Sequence, residues 1–224
     1  MKFWIVKGSR GIYNKSRYRE VIQMLVSTFE ILVKSQLPNP DQIEPLPNAP
    51  LPSAPPDDVL AKLQKLGRTV IQGYFLTIAN LNDFKVTVSL AFTALTPAIS
   101  LDETIGLLDV KETNLVIKGK PDLLDGKVRY TLTVPANDTG LFILQPDFIT
   151  NPQLLDNKDF EVRGYVEISL SMLVKGKDAA RLLLTPEHRG TFFKDLEADD
   201  PQLDQIVYTL PTARGGSLFK LYYS

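Results

Sequence analysis

Residues 70–97, VIQGYFLTIANLNDFKVTVSLAFTALTP, read as two strands joined by a short turn. In the second strand Phe84, Val86, Val88, Leu90 and Phe92 fall on one face and Lys85, Thr87, Ser89, Ala91 and Thr93 on the other. Successive strand side chains point to opposite sides, so this alternation describes a sheet with one dry face and one wet face. Tyr74, Leu76 and Ile78 give the first strand the same rhythm, and Asn80, Leu81, Asn82 and Asp83 supply a turn tolerant of left-handed backbone. The stretch is expected to be a hairpin that opens the main array of strands.

Downstream, the same signals recur. An irregular segment from Pro97 to Glu112, tethered by Leu101, Ile105, Leu107 and Leu108, leads to a strand at residues 115–118. Val128, Tyr130, Leu132 and Val134 alternate until Pro135, and the turn Asn137 to Gly140 leads into a strand at 141–144 that Pro146 ends. Phe160, Val162, Val166, Ile168 and Leu170 alternate around Gly164, which reads as a bulge or a close backbone approach. A strand at 181–184 precedes a loop carrying Pro186 to Gly190, and residues 206–210 and 218–223 read as a last hairpin around Gly215 and Gly216.

Regular strand spacing without crossover helices predicts an all-β domain, a two-sheet antiparallel sandwich, with a flattened barrel as the alternative. The rhythm resembles immunoglobulin-like sandwiches in a general sense. The antibody hallmarks are missing, since there is no cysteine and the one tryptophan, Trp4, precedes the strands, so no family is assigned.

Upstream, Asp57 and Asp58 open a short helix through Leu60, Leu63 and Leu66 that Gly67 closes. Residues 36–56 hold half of the chain's sixteen prolines, a density that forbids helix and favours a stiff, extended polyproline strap. Before it, Tyr18, Ile22, Leu25, Phe29 and Leu32 step by three or four, which predicts an amphipathic helix over 17–35 behind Ser16 as N-cap. Residues 1–19 carry Lys2, Lys7, Arg10, Lys15, Arg17 and Arg19 and no acid, with aromatic residues interleaved. The expected division is therefore a basic arm and helix at 1–35, a spacer at 36–56 and a sandwich at 57–224.

The 224 residues carry a formal charge of −1, which argues against a nucleic-acid footprint for the whole chain, although the basic and aromatic arm has the composition of a single-strand platform. Absence of cysteine excludes disulfides, thiolate metal sites and thiol catalysis. The apolar run at 3–6 is too short for a secretory segment, and the one at 21–33 contains Gln23 and Glu30, so a soluble, cytoplasmic protein without a membrane span is expected.

Chemistry has few places to reside. His188 is the single histidine, so any imidazole-dependent hydrolysis must pass through it, with Glu187 and Arg189 beside it as candidate partners. Three adjacent residues of an extended segment cannot face one point, and no Gly-x-Ser-x-Gly elbow offers a nucleophile. Asp195, Glu197 and Asp199 are candidate metal ligands, but an EF-hand loop starting at Asp195 would need Gly and Glu where Asp200 and Ile206 stand. Phosphate-cradling glycine motifs are absent, and no cofactor is expected.

The reading this supports is a non-enzymatic interaction or self-assembly protein. Its arm, helix and strap would contact a protein partner or another subunit of a homo-oligomer, through Trp4, Arg10, Tyr13, Ile22, Leu25 and Phe29. A 21-residue connection is uncommon inside a compact domain unless it has a role of its own. The alternatives are a small hydrolase with its site around His188 and a carrier of an apolar ligand between the sheets.

Overall fold

The computed structural model describes residues 22–36, 67–95, 101–121, 126–172, 176–194, 199 and 202–222. They form twelve strands: β1 (Met24–Ser35), β2 (Thr69–Asn80), β3 (Val86–Ala94), β4 (Thr104–Val110), β5 (Thr113–Ile117), β6 (Lys120–Pro121), β7 (Lys127–Val134), β8 (Thr139–Pro146), β9 (Asp159–Met172), β10 (Ala179–Phe193), β11 (Leu203–Thr209) and β12 (Leu218–Tyr222). One helical turn, Leu154–Asn157, precedes β9.

Every strand pairing is antiparallel, and hydrogen bonding runs unbroken through the order β5-β4-β8-β2-β1-β9-β3-β7-β6. The all-β expectation holds. The two faces of the expected sandwich belong to one curled sheet, a half-barrel whose layers are joined through the β1–β2 ladder.

β2 is where the sheet branches. One of its edges pairs with β10 from Thr69 to Asn80; the other pairs with β1 along Thr69–Gln72 and then with β8 along Tyr74–Ala79. The curl brings β2 and β8 over β3 and β7, and aromatic rings fill the space between. Phe92 lies 5.5 Å from Tyr74, 5.7 Å from Tyr130 and 5.7 Å from Phe142, and Tyr130 lies 5.2 Å from Phe142. Val86, Val88, Leu90 and Phe92 are fully buried on the face their alternation predicts.

Several connections differ from expectation. β2 and β3 do not pair as a hairpin; they belong to opposite layers, and residues 81–85 carry the chain across. Asn80 pins this crossing to the β7–β8 crossing beside it, its amide donating to the carbonyls of Phe84 at 2.9 Å and Pro135 at 2.7 Å. The segment expected to be irregular before Glu112 contains β4, paired with β8 and β5. β11 and β12 do not pair with each other either, because both lie along the same edge of β10, one after the other.

The helix expected over 17–35 is corrected by β1, which runs through the middle of the sheet between β2 and β9. A bulge between Leu25 and Ser27 shifts the strand's phase by one residue. Buried Met24 and Val26 therefore alternate with one phase and Phe29, Ile31 and Val33 with the other, which spreads apolar residues at helix-like intervals. Val26, Thr28, Ile31 and Val33 are β-branched and fit a pleated surface better than a helix. The basic arm, the proline-rich strap and the Asp57 helix lie outside the described residues.

Gly164 is a close backbone approach: a Cβ there would stand 1.9 Å from the Thr93 carbonyl oxygen of neighbouring β3. The obstacle is neighbouring backbone, which cannot swing aside as a side chain can, so only a residue without a Cβ fits at 164.

Candidate functional site

The loop expected around His188 is instead the middle of β10, which continues without interruption from Ala179 to Phe193. Pro186 is tolerated there for a geometric reason. On the edge facing β11 and β12, Leu184 donates to the Ser217 carbonyl and the Pro186 carbonyl accepts from Leu210. The missing proline N–H thus points into the gap between β12, which ends opposite Leu183, and β11, which begins opposite Glu187, and the β2 ladder loses nothing.

His188 is buried, with 5% of its surface exposed, at the seam where β1 leaves β2. Past the last β1–β2 pair, Leu32 with Gln72, the backbone N–H of Glu30 has no strand carbonyl opposite it. It donates to His188 Nε2 at 3.0 Å. That fixes the neutral tautomer, with the proton on Nδ1 and donated to the Tyr208 hydroxyl at 2.8 Å.

From there the network continues. Tyr208 donates to Gln72 Oε1 at 3.5 Å, Gln72 donates to Glu30 Oε2 at 3.0 Å, and Arg163 donates to Glu30 Oε1 at 2.7 Å. Burial pushes the imidazole below its ordinary value of 6.5, against the opposing pull of the Glu30 charge. Burial likewise raises the Tyr208 phenol, and the Glu30 charge adds to that rise.

Glu187 and Arg189 point to the opposite, outer face, as strand alternation requires. They pair with each other at 2.9 Å, and the Arg189 guanidinium lies 4.6 Å over the Phe75 ring. The three residues singled out together are thus separated by the thickness of the sheet. No substrate can use both, and the two nitrogens of His188 are already engaged by Glu30 and Tyr208. The ring acts as a strut: it replaces the missing rung between β1 and its neighbour.

The outer face carries a shallow groove of about 400 Å³ between β8, β2, β10 and β11, lined by Ile71, Gly73, Phe75, Gln145, Phe148, Arg189, Thr191, Gln205 and Val207 among others. Beside it, β11 pairs with β10 and, among the described residues, with nothing else. All seven of its residues are exposed. Leu203 is 50% exposed and Val207 58%, and Ile206 and Tyr208 are also largely open. An ion pair from Arg68 to Asp204 ties the strand back across β10.

This edge is a candidate surface that sequence reasoning missed. LDQIVYT, residues 203–209, was assigned in part to a terminal hairpin, and its signal is the absence of lysine, proline or glycine from a strand that leaves one edge open.

The other candidate residues are scattered. Phe29 is a core residue in edge-to-face contact with Tyr74 and Phe92, and so is unavailable to a partner, whereas Ile22 and Leu25 are exposed. Trp4, Arg10, Tyr13, Asp195 and Glu197 lie outside the described residues, and Asp199 is exposed. Among the described residues no group of three or more His, Asp or Glu converges as a metal site, and no helix is long and apolar enough to cross a membrane.

No protein-family model matches the sequence, and no curated protein matches it. Among solved structures, the chain is similar to the collagen-binding subdomain of the Enterococcus faecalis surface protein ACE. The two are 11% identical over 64% of this chain and 85% of that one, with a TM-score of 0.20.

Proposed function

We propose that the chain is a non-enzymatic β-domain that binds protein, either a partner or another copy of itself, through the outer face and free edge at β10–β11. The observation that carries this reading is β11, a seven-residue strand with every residue exposed and Leu203, Ile206, Val207 and Tyr208 among them. A row of open backbone donors and acceptors flanked by apolar side chains is what strand addition uses for affinity, and an adjoining groove supplies side-chain selectivity. Arg189 over Phe75, next to that groove, adds a cationic and aromatic pair of the kind enriched at interfaces.

A histidine-dependent hydrolase draws no support from a ring with both nitrogens bonded and its sequence neighbours on the other side of the sheet. A carrier draws none from a space between the layers packed with aromatic rings.

Photo-crosslinking tests the proposal. A benzoyl-phenylalanine placed at Val207 of the full chain in its native cell should capture a defined polypeptide, and one placed at Leu115 on β5 should not. Equal, diffuse labelling from both positions would sink the interaction reading.

A further inference from the structure

We propose that residues 57–66 of this chain pack as an amphipathic helix against the outer face of β2, β8 and β4. The inference goes beyond the protein-binding reading and is independent of it, because the β11 edge stays open beside the helix.

The two outer faces of the half-barrel differ in kind. Across β9, β3 and β7 the outward residues include Thr87, Ser89, Arg129, Thr131, Glu167 and Ser169, the polar set that a sheet facing water carries. Across β5, β4, β8 and β2 the outward residues are largely apolar. Val116 stands opposite Leu107, Leu107 opposite Ile143 and Ile143 opposite Phe75, a row four strands wide that Ile105 and Ile71 extend. Their sequence neighbours Leu108, Phe142, Leu144, Tyr74 and Leu76 fill the core, so the row points away from it. A sheet layer that is apolar on both faces is one that a folded protein covers on both.

The chain supplies a cover at that place. In DDVLAKLQKL, residues 57–66, a helical step of about 100° per residue puts Val59, Leu60, Leu63 and Leu66 within an arc of about 120°, with Lys62, Gln64 and Lys65 around the rest. Asp57 and Asp58 suit the start of such a helix and Gly67 its end. Only Gly67 and Arg68 separate it from β2, the short connection by which a helix folds back on the strand it precedes. The junction is anchored: Gln36 N–H donates to the Arg68 carbonyl at 2.7 Å, and the Arg68 side chain pairs with Asp204.

The lengths match. Ten helical residues extend about 15 Å, and β2 rises about 3.3 Å per residue. A helix running back along β2 therefore sets Leu66 beside Ile71 and carries Leu60 toward Phe75 and Ile143. Attachment through two residues gives this segment an effective concentration in the millimolar range, an advantage over any free partner for the same face. Its flank forms a wall of the shallow groove, across from Gln205 and Val207.

The test exploits the absence of cysteine from the chain. Ile143→Cys in the full chain is alkylated with iodoacetamide in parallel with Thr131→Cys on the polar face. The Ile143→Cys thiol should react at least tenfold more slowly, and adding Leu63→Asp should remove most of that difference. A second measurement needs no charged substitution: Leu63→Cys is combined in turn with Ile71→Cys, Phe75→Cys and Ile143→Cys under mild oxidation. At least one pair should form an intrachain disulfide, and Leu63→Cys with Thr131→Cys should form none.

The inference falls if Ile143→Cys reacts as fast as Thr131→Cys, if its slow reaction persists in a folded Leu63→Asp chain, or if no intrachain bond forms at any of the three positions. A disulfide joining two chains identifies a second copy as the cover and overturns it equally.

Discussion

Among the described residues, β1 and β11 each leave part of one edge without a strand beside it, and the chain treats them in opposite ways. Along β1, once β2 has diverged, the open groups are closed one at a time: Glu30 N–H by His188, the Val26 carbonyl by Ala213 N–H at 2.8 Å, and the Ser27 side chain by the Tyr74 hydroxyl at 3.0 Å. Along β11, among the described residues, nothing is closed.

The difference follows from water. The β1 seam is buried, where an unpaired amide costs about 1–3 kcal/mol, whereas on the outer edge solvent satisfies the same groups until a partner replaces it. A buried histidine bonded at both nitrogens therefore closes the architecture, and the exposed apolar strand is what the proposed association would use.

The bluntest way to break this contrast is through the core both edges share. Phe92→Ala removes a ring that touches Phe29, Tyr74, Tyr130 and Phe142 and should lower stability by about 3–5 kcal/mol in denaturant unfolding. Both edges should be lost together; an edge that survived would show that it folds independently of the core.

His188→Ala separates them. It strands the Glu30 amide and takes one partner from the Tyr208 hydroxyl, and about 2 kcal/mol of stability should go, with faster hydrogen exchange at Glu30. His188→Gln, which keeps a donor and an acceptor, should recover part of the loss.

The same ring makes the seam sensitive to acid. Its folded pKa lies below the ordinary 6.5, so the unfolded chain takes up a proton that the folded chain resists. The contribution of His188 is complete above about pH 6.5, erodes as pH falls from there toward the lower folded value, and levels off below it. The measurement is the stability difference between wild type and His188→Gln at a series of pH values, which should narrow over that window. A difference that grew on acidification would mean that the Glu30 charge outweighs burial.

The smallest effect belongs to the open edge. Leu203→Lys sits on an exposed residue and should move the unfolding midpoint by less than about 0.5 kcal/mol. A larger loss would mean that the edge is already covered.

What could be read from the sequence follows from how far apart the determining residues lie. Alternation in residues 84–92 and 128–134 is local, and it identified β3, β7 and their buried faces correctly. Gly164 was recognisable as a close approach, because a glycine amid alternating apolar residues needs a steric reason.

Pairing partners were not legible. Turn residues at Asn80–Asp83 look alike whether they close a hairpin or carry the chain between layers, and Gly215 and Gly216 invite the same mistake. β1 was misread because its bulge breaks the period of two, and its neighbours β2 and β9 come from distant stretches. The His188 site was misplaced because proline and glycine mark loops on average, whereas here Pro186 falls at a gap between edge strands and Gly190 sits opposite Ile206.

The position of β1 also governs when the molecule can assemble. Its ladder to β9 joins Glu30 to Arg163, and the strut that closes its other side spans 158 residues. As the chain is synthesised, β1 can pair with β2 only along Leu32–Ser35 and must wait for β9 and His188 before the rest of its flanks are covered. Contacts this distant in sequence make folding slow, and the waiting strand is the segment most exposed to misassociation in the interval.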